Sequence, residues 1–161
     1  MAGISSAPGS LGELPLSSNA FEGKTPHALT KLNTLKVLHI SYNPGVIGSL
    51  LSDIGNMSNL QYLELSYTYL GGVLPLEIGN LSMLQYLGMD ETQLKVSLPE
   101  EVGGLNQLRY ISIYNNESDS GKITGPLRPF SYLGNPRELY LNGNIITGSI
   151  PANFLEDSIT K

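Results

Sequence analysis

The side chains able to do chemistry in this sequence are few, and their spacing argues against a catalytic centre. His27 and His39 are the only imidazoles and there is no cysteine, so thiol nucleophiles, zinc-thiolate sites and disulfides are all excluded. The two histidines fall in different parts of two successive sequence units and form no metal-ligand or base-nucleophile spacing. Asp90, Glu91, Glu100 and Glu101 could supply an acid/base pair, but neighbouring carboxylates of this kind are expected as a solvated acidic edge. Gly23-Lys24-Thr25 has the ending of a phosphate-binding loop, yet Ser18 stands where its first glycine belongs and the frame described below already accounts for Gly23. No cofactor or metal is implied, and a non-enzymatic role is expected. Three N-x-S/T sequons, at Asn56, Asn80 and Asn116, are candidates for glycosylation if the protein is exported.

The bulk of the sequence bounds the possible partners. With 161 residues, 40% hydrophobic and 14% charged, the chain suits one compact domain or one short solenoid rather than a disordered segment. Its net charge of −5 leaves no basic stripe for a phosphate backbone, so nucleic acid is not an expected partner. Eighteen glycines and ten prolines indicate a backbone that turns often. Residues Met1 to Pro8 lack the basic and apolar regions of a signal peptide, and no run approaches the roughly 18 apolar residues of a membrane span. No membrane insertion by this segment is expected, and the lack of cysteine leaves the compartment open, cytoplasm included.

The elements that must position these residues come from a repeat. Leu11, Leu14, Leu16, Asn19, Phe21, Gly23, Pro26, Leu29 and Leu32 set a frame that restarts near Leu35, Leu60, Leu84, Leu108 and Pro136, at intervals of 24, 25, 24, 24 and 28 residues. In each unit an alternating apolar pair, such as Leu38 and Ile40 or Leu63 and Leu65, has the period-two signature of a half-buried strand. Asn19, Asn43, Asn116 and Asn144 follow, with amides suited to bonding the backbone where the chain bends; Thr68 and Thr92 replace them in the central units, which are expected to be weaker turns. A proline with an apolar pair three residues apart, as in Pro75 to Ile78 and Leu81, predicts an extended piece followed by a short helical or 3₁₀ turn. One extra residue at 43–47 and about four around 117–122 are expected as surface loops rather than broken strands.

The order Asn-x-Leu-x-Gly-x-Ile-Pro-x-x-Ile-Gly-x-Leu, carried for example by Gly72 to Leu81, resembles the plant-specific class of leucine-rich repeats, and the likeness covers about residues 11–155. It implies an α/β repeat fold: a right-handed solenoid of about six turns with a parallel sheet on its concave face. Residues 1–10 are expected as a tail or degenerate cap and 156–161 as a tail or the start of a truncated turn, so the array is expected to belong to a longer one. The resemblance implies a recognition module of a receptor-like protein, extracellular or at the cell surface, binding a protein, peptide or glycan; a structural or assembly scaffold is the alternative.

Stacking would align the polar strand positions in columns. One holds Pro15, His39, Glu64, Gly88, Ser112 and Tyr140; a second holds Ser17, Ser41, Ser66, Asp90, Tyr114 and Asn142; a third holds Ser18, Tyr42, Tyr67, Glu91, Asn115 and Gly143. The candidate contact residues are His39, Tyr42, Glu64, Tyr67, Asp90, Glu91, Tyr114, Tyr140 and Asn142, the tyrosines as aromatic anchors and the carboxylates as a negative centre favouring a basic or hydroxyl-rich ligand. Tyr62, Tyr86 and Tyr110 recur just before the first buried strand residue, and either pack on one another as a ladder or meet the ligand.

Overall fold

One short strand from each sequence unit lines up in chain order to form a six-stranded parallel sheet: Glu13–Pro15, Val37–His39, Tyr62–Glu64, Tyr86–Gly88, Tyr110–Ser112 and Glu138–Tyr140. The computed structural model describes residues 11–95, 97–115, 121–134 and 136–152. The expected terminal tails, Asn116 and most of the longer insertion lie outside the described residues. Registers run Leu14 to Leu38 to Leu63 to Leu87 to Ile111 to Leu139 without a slip. The alternating pattern explains which side is inside. Leu38, Leu63, Leu87 and Ile111, with Ile40, Leu65, Met89 and Ile113 two residues on, enter one core.

Each coil then turns and runs back past a second ladder. Glu22–Lys24, Asn43–Ser49, Thr68–Gly72 and Gln93–Leu94 pair in parallel as an outer sheet. The insertion of the second unit falls here, where pairing passes over residues 44–46, from Asn43 opposite Thr68 to Ile47 opposite Tyr69. Among the described residues the inner sheet continues past the longer insertion, and beyond it Thr124–Pro126 pairs with Ile145–Thr147. The inner strands precede the inserted residues and keep their register, whereas the outer strand follows them.

The return path carries five-residue 3₁₀ segments, His27–Lys31, Ser52–Asn56, Leu76–Asn80, Glu100–Gly104 and Arg128–Tyr132. Three of them follow a proline in extended conformation, Pro26, Pro75 and Pro99, whose missing N–H is no loss at a helix start. Ile54, Ile78, Val102 and Phe130 plug these segments into the core. No α-helix occurs among the described residues, so the helical half of the expected α/β repeat is 3₁₀. A coil of about 24 residues leaves room there for little more than a single tight turn. A glycine column lets these segments approach each other. A Cβ on Gly55, Gly79 or Gly103 would come within 2.7, 2.7 or 2.6 Å of a backbone carbonyl in the next coil.

The turn residues differ as their chemistry requires. The Asn43 amide donates to the carbonyls of Ile40 and Ser41 in its own coil and of Leu16 in the coil before, and its oxygen accepts from the Phe21 N–H. Asn144 likewise reaches back to the Ile113 carbonyl and accepts from the Ile123 N–H. Thr68 and Thr92 each donate one bond within their own coil, to the carbonyls of Leu65 and Met89. Asparagine therefore ties two coils, and threonine closes one.

Two stability outcomes follow. Gly79→Ala pushes a methyl against the Glu101 backbone and should lower stability by roughly 1–3 kcal/mol, the usual range for overpacking. Asn43→Ala leaves several buried backbone groups unpaired and should cost about 1–3 kcal/mol or more, while Thr68→Val, which removes one donor, should cost less. Urea midpoints of the three variants against wild type check both, and equal losses for Asn43→Ala and Thr68→Val would contradict the two-coil role.

Candidate functional site

The solvent-facing side of the inner sheet is dominated by stacked aromatic rings. Tyr62 lies on Tyr86 with ring centroids 4.1 Å apart and planes 9° from parallel, and Tyr86 lies on Tyr110 at 4.6 Å and 9°. His39 tilts onto Tyr62 at one end and Tyr140 onto Tyr110 at the other. Parallel strands repeat at about 4.7–4.9 Å, within the range of centroid separations for offset-stacked rings, so tyrosines at one frame position are brought into stacking distance. Tyr62, Tyr86 and Tyr110 thus stack as a ladder along the sheet. It joins His39 and Tyr140 into one five-ring band.

The carboxylates are held rather than presented. Glu64 was expected to expose charge at the centre of the face, but it is only 7% exposed. Its oxygens accept from the Tyr86 hydroxyl at 2.7 Å and the Ser66 N–H at 2.9 Å, and its head lies over Gly88, where a Cβ would clash with it. The absence of a side chain at position 88 lets the carboxylate fold down onto the sheet. Asp90, half-buried, takes the Ser112 hydroxyl on both oxygens and the Tyr114 N–H at 2.7 Å. Each acid therefore clamps the next coil. Burial, reinforced by the Glu64 hydrogen bond, holds the Tyr86 phenol far above its ordinary pKa, and burial also raises Tyr62 and Tyr110.

A second aromatic stack stands at the rim, past the ends of the inner strands. Tyr42 and Tyr67 are parallel at 4.4 Å and 11°, and are 54% and 40% exposed. Ser18, Tyr42, Tyr67 and Glu91 all adopt left-handed backbone, with φ between 50° and 56°, because the chain bends sharply there into the turn residue. The corresponding sixth-coil residue is Gly143, for which that conformation carries no strain. Tyr42, Tyr67 and Glu91 line a groove of about 400 Å³ together with Pro44, Tyr69 and Gln93. Those last three were not singled out from the sequence. They belong to the outer strands, and the signal for Pro44 was the extra residue at 43–47, which becomes the unpaired bulge opposite Thr68 and Tyr69.

Of the remaining expected contact residues, His39 is half-buried with Nε2 2.8 Å from the Ser41 hydroxyl, Tyr114 is half-buried, and Asn142 and Tyr140 are exposed. The structure thus gathers His39 and Tyr140 on the band, Tyr42, Tyr67 and Glu91 at the rim groove, and withdraws Glu64. Asn56 and Asn80 end consecutive 3₁₀ segments with exposed side chains, away from both surfaces.

Comparison with known proteins agrees with this architecture. A leucine-rich repeat region model matches residues 16–129, and a further leucine-rich repeat matches 135–156. The chain belongs to the leucine-rich repeat family. Its structural relatives confirm the plant type read from the sequence. The ectodomain of the Arabidopsis thaliana membrane receptor kinase GASSHO1/SCHENGEN3, solved with CASPARIAN STRIP INTEGRITY FACTOR 2, superposes with a TM-score of 0.82 at 26% identity, over 89% of this chain and 17% of that one. The Arabidopsis receptor kinase HAESA ectodomain, solved with an IDA peptide hormone ligand, gives 0.78 at 29% identity over 90% of this chain and 24% of its own. A plant ice-binding protein gives 0.76 at 26% over 91% and 45%. This repeat array therefore spans less than half the length of each of these relatives. No curated protein matches it. No helix among its described residues is long and apolar enough to cross a membrane.

The tyrosine band makes the array sensitive to alkali. A phenol whose pKa is raised by folding keeps its proton after the unfolded chain has lost it, so its contribution is complete below the ordinary value of about 10 and is lost as pH climbs through the folded value. Stability should fall as pH rises above about 10, with tyrosinate absorbance lagging until the coils separate. Tyr86→Phe should flatten part of that alkaline slope, while weakening the fold at neutral pH because Glu64 loses a donor. Free titration of every tyrosine in the folded state would contradict this reading.

Proposed function

We propose that this array is a non-enzymatic recognition module that holds a peptide, a protein segment or a glycan along its inner face, as part of a receptor-like protein exposed outside the cell. The observation carrying this reading is the band of His39, Tyr62, Tyr86, Tyr110 and Tyr140, a rigid aromatic surface on a hydrogen-bonded sheet. Rings already locked by stacking lose little freedom on binding, and tyrosine offers both apolar area and a hydroxyl. The complexes of GASSHO1/SCHENGEN3 with CASPARIAN STRIP INTEGRITY FACTOR 2 and of HAESA with an IDA peptide hormone support a peptide or protein ligand over a glycan. The acidic composition argues against nucleic acid, and this segment is proposed not to enter a membrane. On an exported protein Asn56 and Asn80, clear of the band, would accept glycans without blocking it, and Asn116 is a third candidate.

The reading is tested by selecting binders from a random displayed peptide library. Selected peptides should lose about 5–30-fold in affinity on Tyr140→Ala or Tyr114→Ala, the range of an interface anchor, with circular dichroism unchanged. Failure to enrich any peptide would overturn the peptide form of the proposal. Unchanged binding in both variants, together with concentration-dependent sedimentation, would assign the face to assembly instead.

A further inference from the structure

The two aromatic stacks of this molecule differ in what surrounds them. In the inner ladder Tyr86 has Tyr62 on one face and Tyr110 on the other. At the rim Tyr42 and Tyr67 have no third ring in their column, which holds Ser18 in the coil before and Glu91 in the coil after. Both rim rings are exposed, and the groove of about 400 Å³ runs beside them. Their planes are 11° from parallel at 4.4 Å and their hydroxyls share a hydrogen bond, so the ortho carbons flanking each hydroxyl lie across from one another. We propose that Tyr42 and Tyr67 are a site of oxidative cross-linking, joined carbon to carbon as dityrosine by hydrogen peroxide acting through a haem peroxidase.

Each phenol gives one electron and its hydroxyl proton to the oxidant, and the hydrogen peroxide is reduced to two waters. The unpaired electron of a phenoxyl radical is shared with its ortho carbons, and two such radicals held face to face form a bond between them. Each joined carbon then passes its hydrogen to the phenol oxygen, which restores both rings; the product has lost two hydrogen atoms. Left-handed backbone at both positions fixes where the side chains leave the chain, so the radicals meet each other before they meet a second molecule. Bonding swings the rings from face to face into a twisted, edge-joined pair. The groove gives the rim rings room for that motion, whereas Tyr86 is held by a ring on each face and by its bond to Glu64. The bond also falls where the array lacks a tie. Asn43 binds the second coil to the first through the Leu16 carbonyl, but the Thr68 hydroxyl bonds within its own coil, and Tyr42–Tyr67 spans that step from the third coil to the second. Closing the chain between residues 42 and 67 restricts the unfolded state as a disulfide does, in a protein that has no cysteine.

The test treats the full chain with a haem peroxidase and limiting hydrogen peroxide over a range of dilutions. Dityrosine fluorescence should appear in the monomer, in a yield independent of protein concentration and with a mass lower by two hydrogens. Proteolytic mapping should find Tyr42 joined to Tyr67. Tyr42→Phe and Tyr67→Phe keep the ring but cannot form the radical, and each should lower the monomer fluorescence several-fold. Tyr132→Phe, at an exposed tyrosine outside both stacks, should leave it unchanged. In urea the same treatment should scatter the couplings among the nine tyrosines, and the cross-linked chain should unfold at a higher urea concentration than the untreated one. No dityrosine in the monomer, joined peptides drawn from the inner band, or an unchanged urea midpoint overturns the proposal. No ligand takes part, so either result leaves the inner-face recognition reading to its own test.

Discussion

Lateral superposition of coils is the constraint from which the rest of the molecule follows. Each inner strand is only three residues long and cannot satisfy its own backbone, so its N–H groups must meet carbonyls of the adjacent coil, as Leu16 N–H meets His39, Ile40 N–H meets Glu64 and Met89 N–H meets Ser112. Those bonds set both distance and register. Once they form, a residue at any frame position stands directly over its counterparts, and columns become the units of the structure.

Each column is then governed by what can repeat at that spacing. Leucine and isoleucine repeat as a continuous core, and glycine at 55, 79 and 103 repeats because any larger residue would meet a carbonyl of the next coil. Tyrosine repeats as stacked rings. Charge cannot repeat at close range without repulsion, and the inner columns accordingly place their acids singly: Glu64 beside Gly88 and Tyr86, Asp90 beside Ser112. Carboxylates that would have made the face acidic are thereby converted into ties between coils. Glu91 lines the aromatic groove at the rim.

Departures from the repeat mark where the surface becomes individual. In the second coil the outer ladder passes over residues 44–46 between the pairs Asn43–Thr68 and Ile47–Tyr69, and Pro44 among them lines the rim groove. Past the larger excess before Thr124 the inner sheet continues in register. Outer strands tolerate such changes because they lie downstream of the inner strand and turn, which are already anchored by the core. Threonine at 68 and 92 keeps the bend closed but gives up the bond to the preceding coil that asparagine makes at 43 and 144.

The frame, the strand positions, the buried apolar pairs and the alignment of polar columns were legible in the order of residues, because a period-two pattern recurring at about 24 residues has one economical way to bury its leucines. The smaller number of bonds made at Thr68 and Thr92 was legible too, from the hydrogen-bonding capacity of a hydroxyl against an amide. What only the tertiary structure decided concerns pairs from different coils and different ladders. Glu64 reads as exposed in its own strand, yet its head lies over Gly88 of the next coil and is held by the Tyr86 hydroxyl. The groove joining Tyr42 and Tyr67 to Tyr69, Pro44 and Gln93 depends on a bulge whose direction no single coil specifies. Periodicity determines what lies in a column; which neighbouring columns meet, and how closely, depends on local backbone displacements that arise only when the coils are stacked.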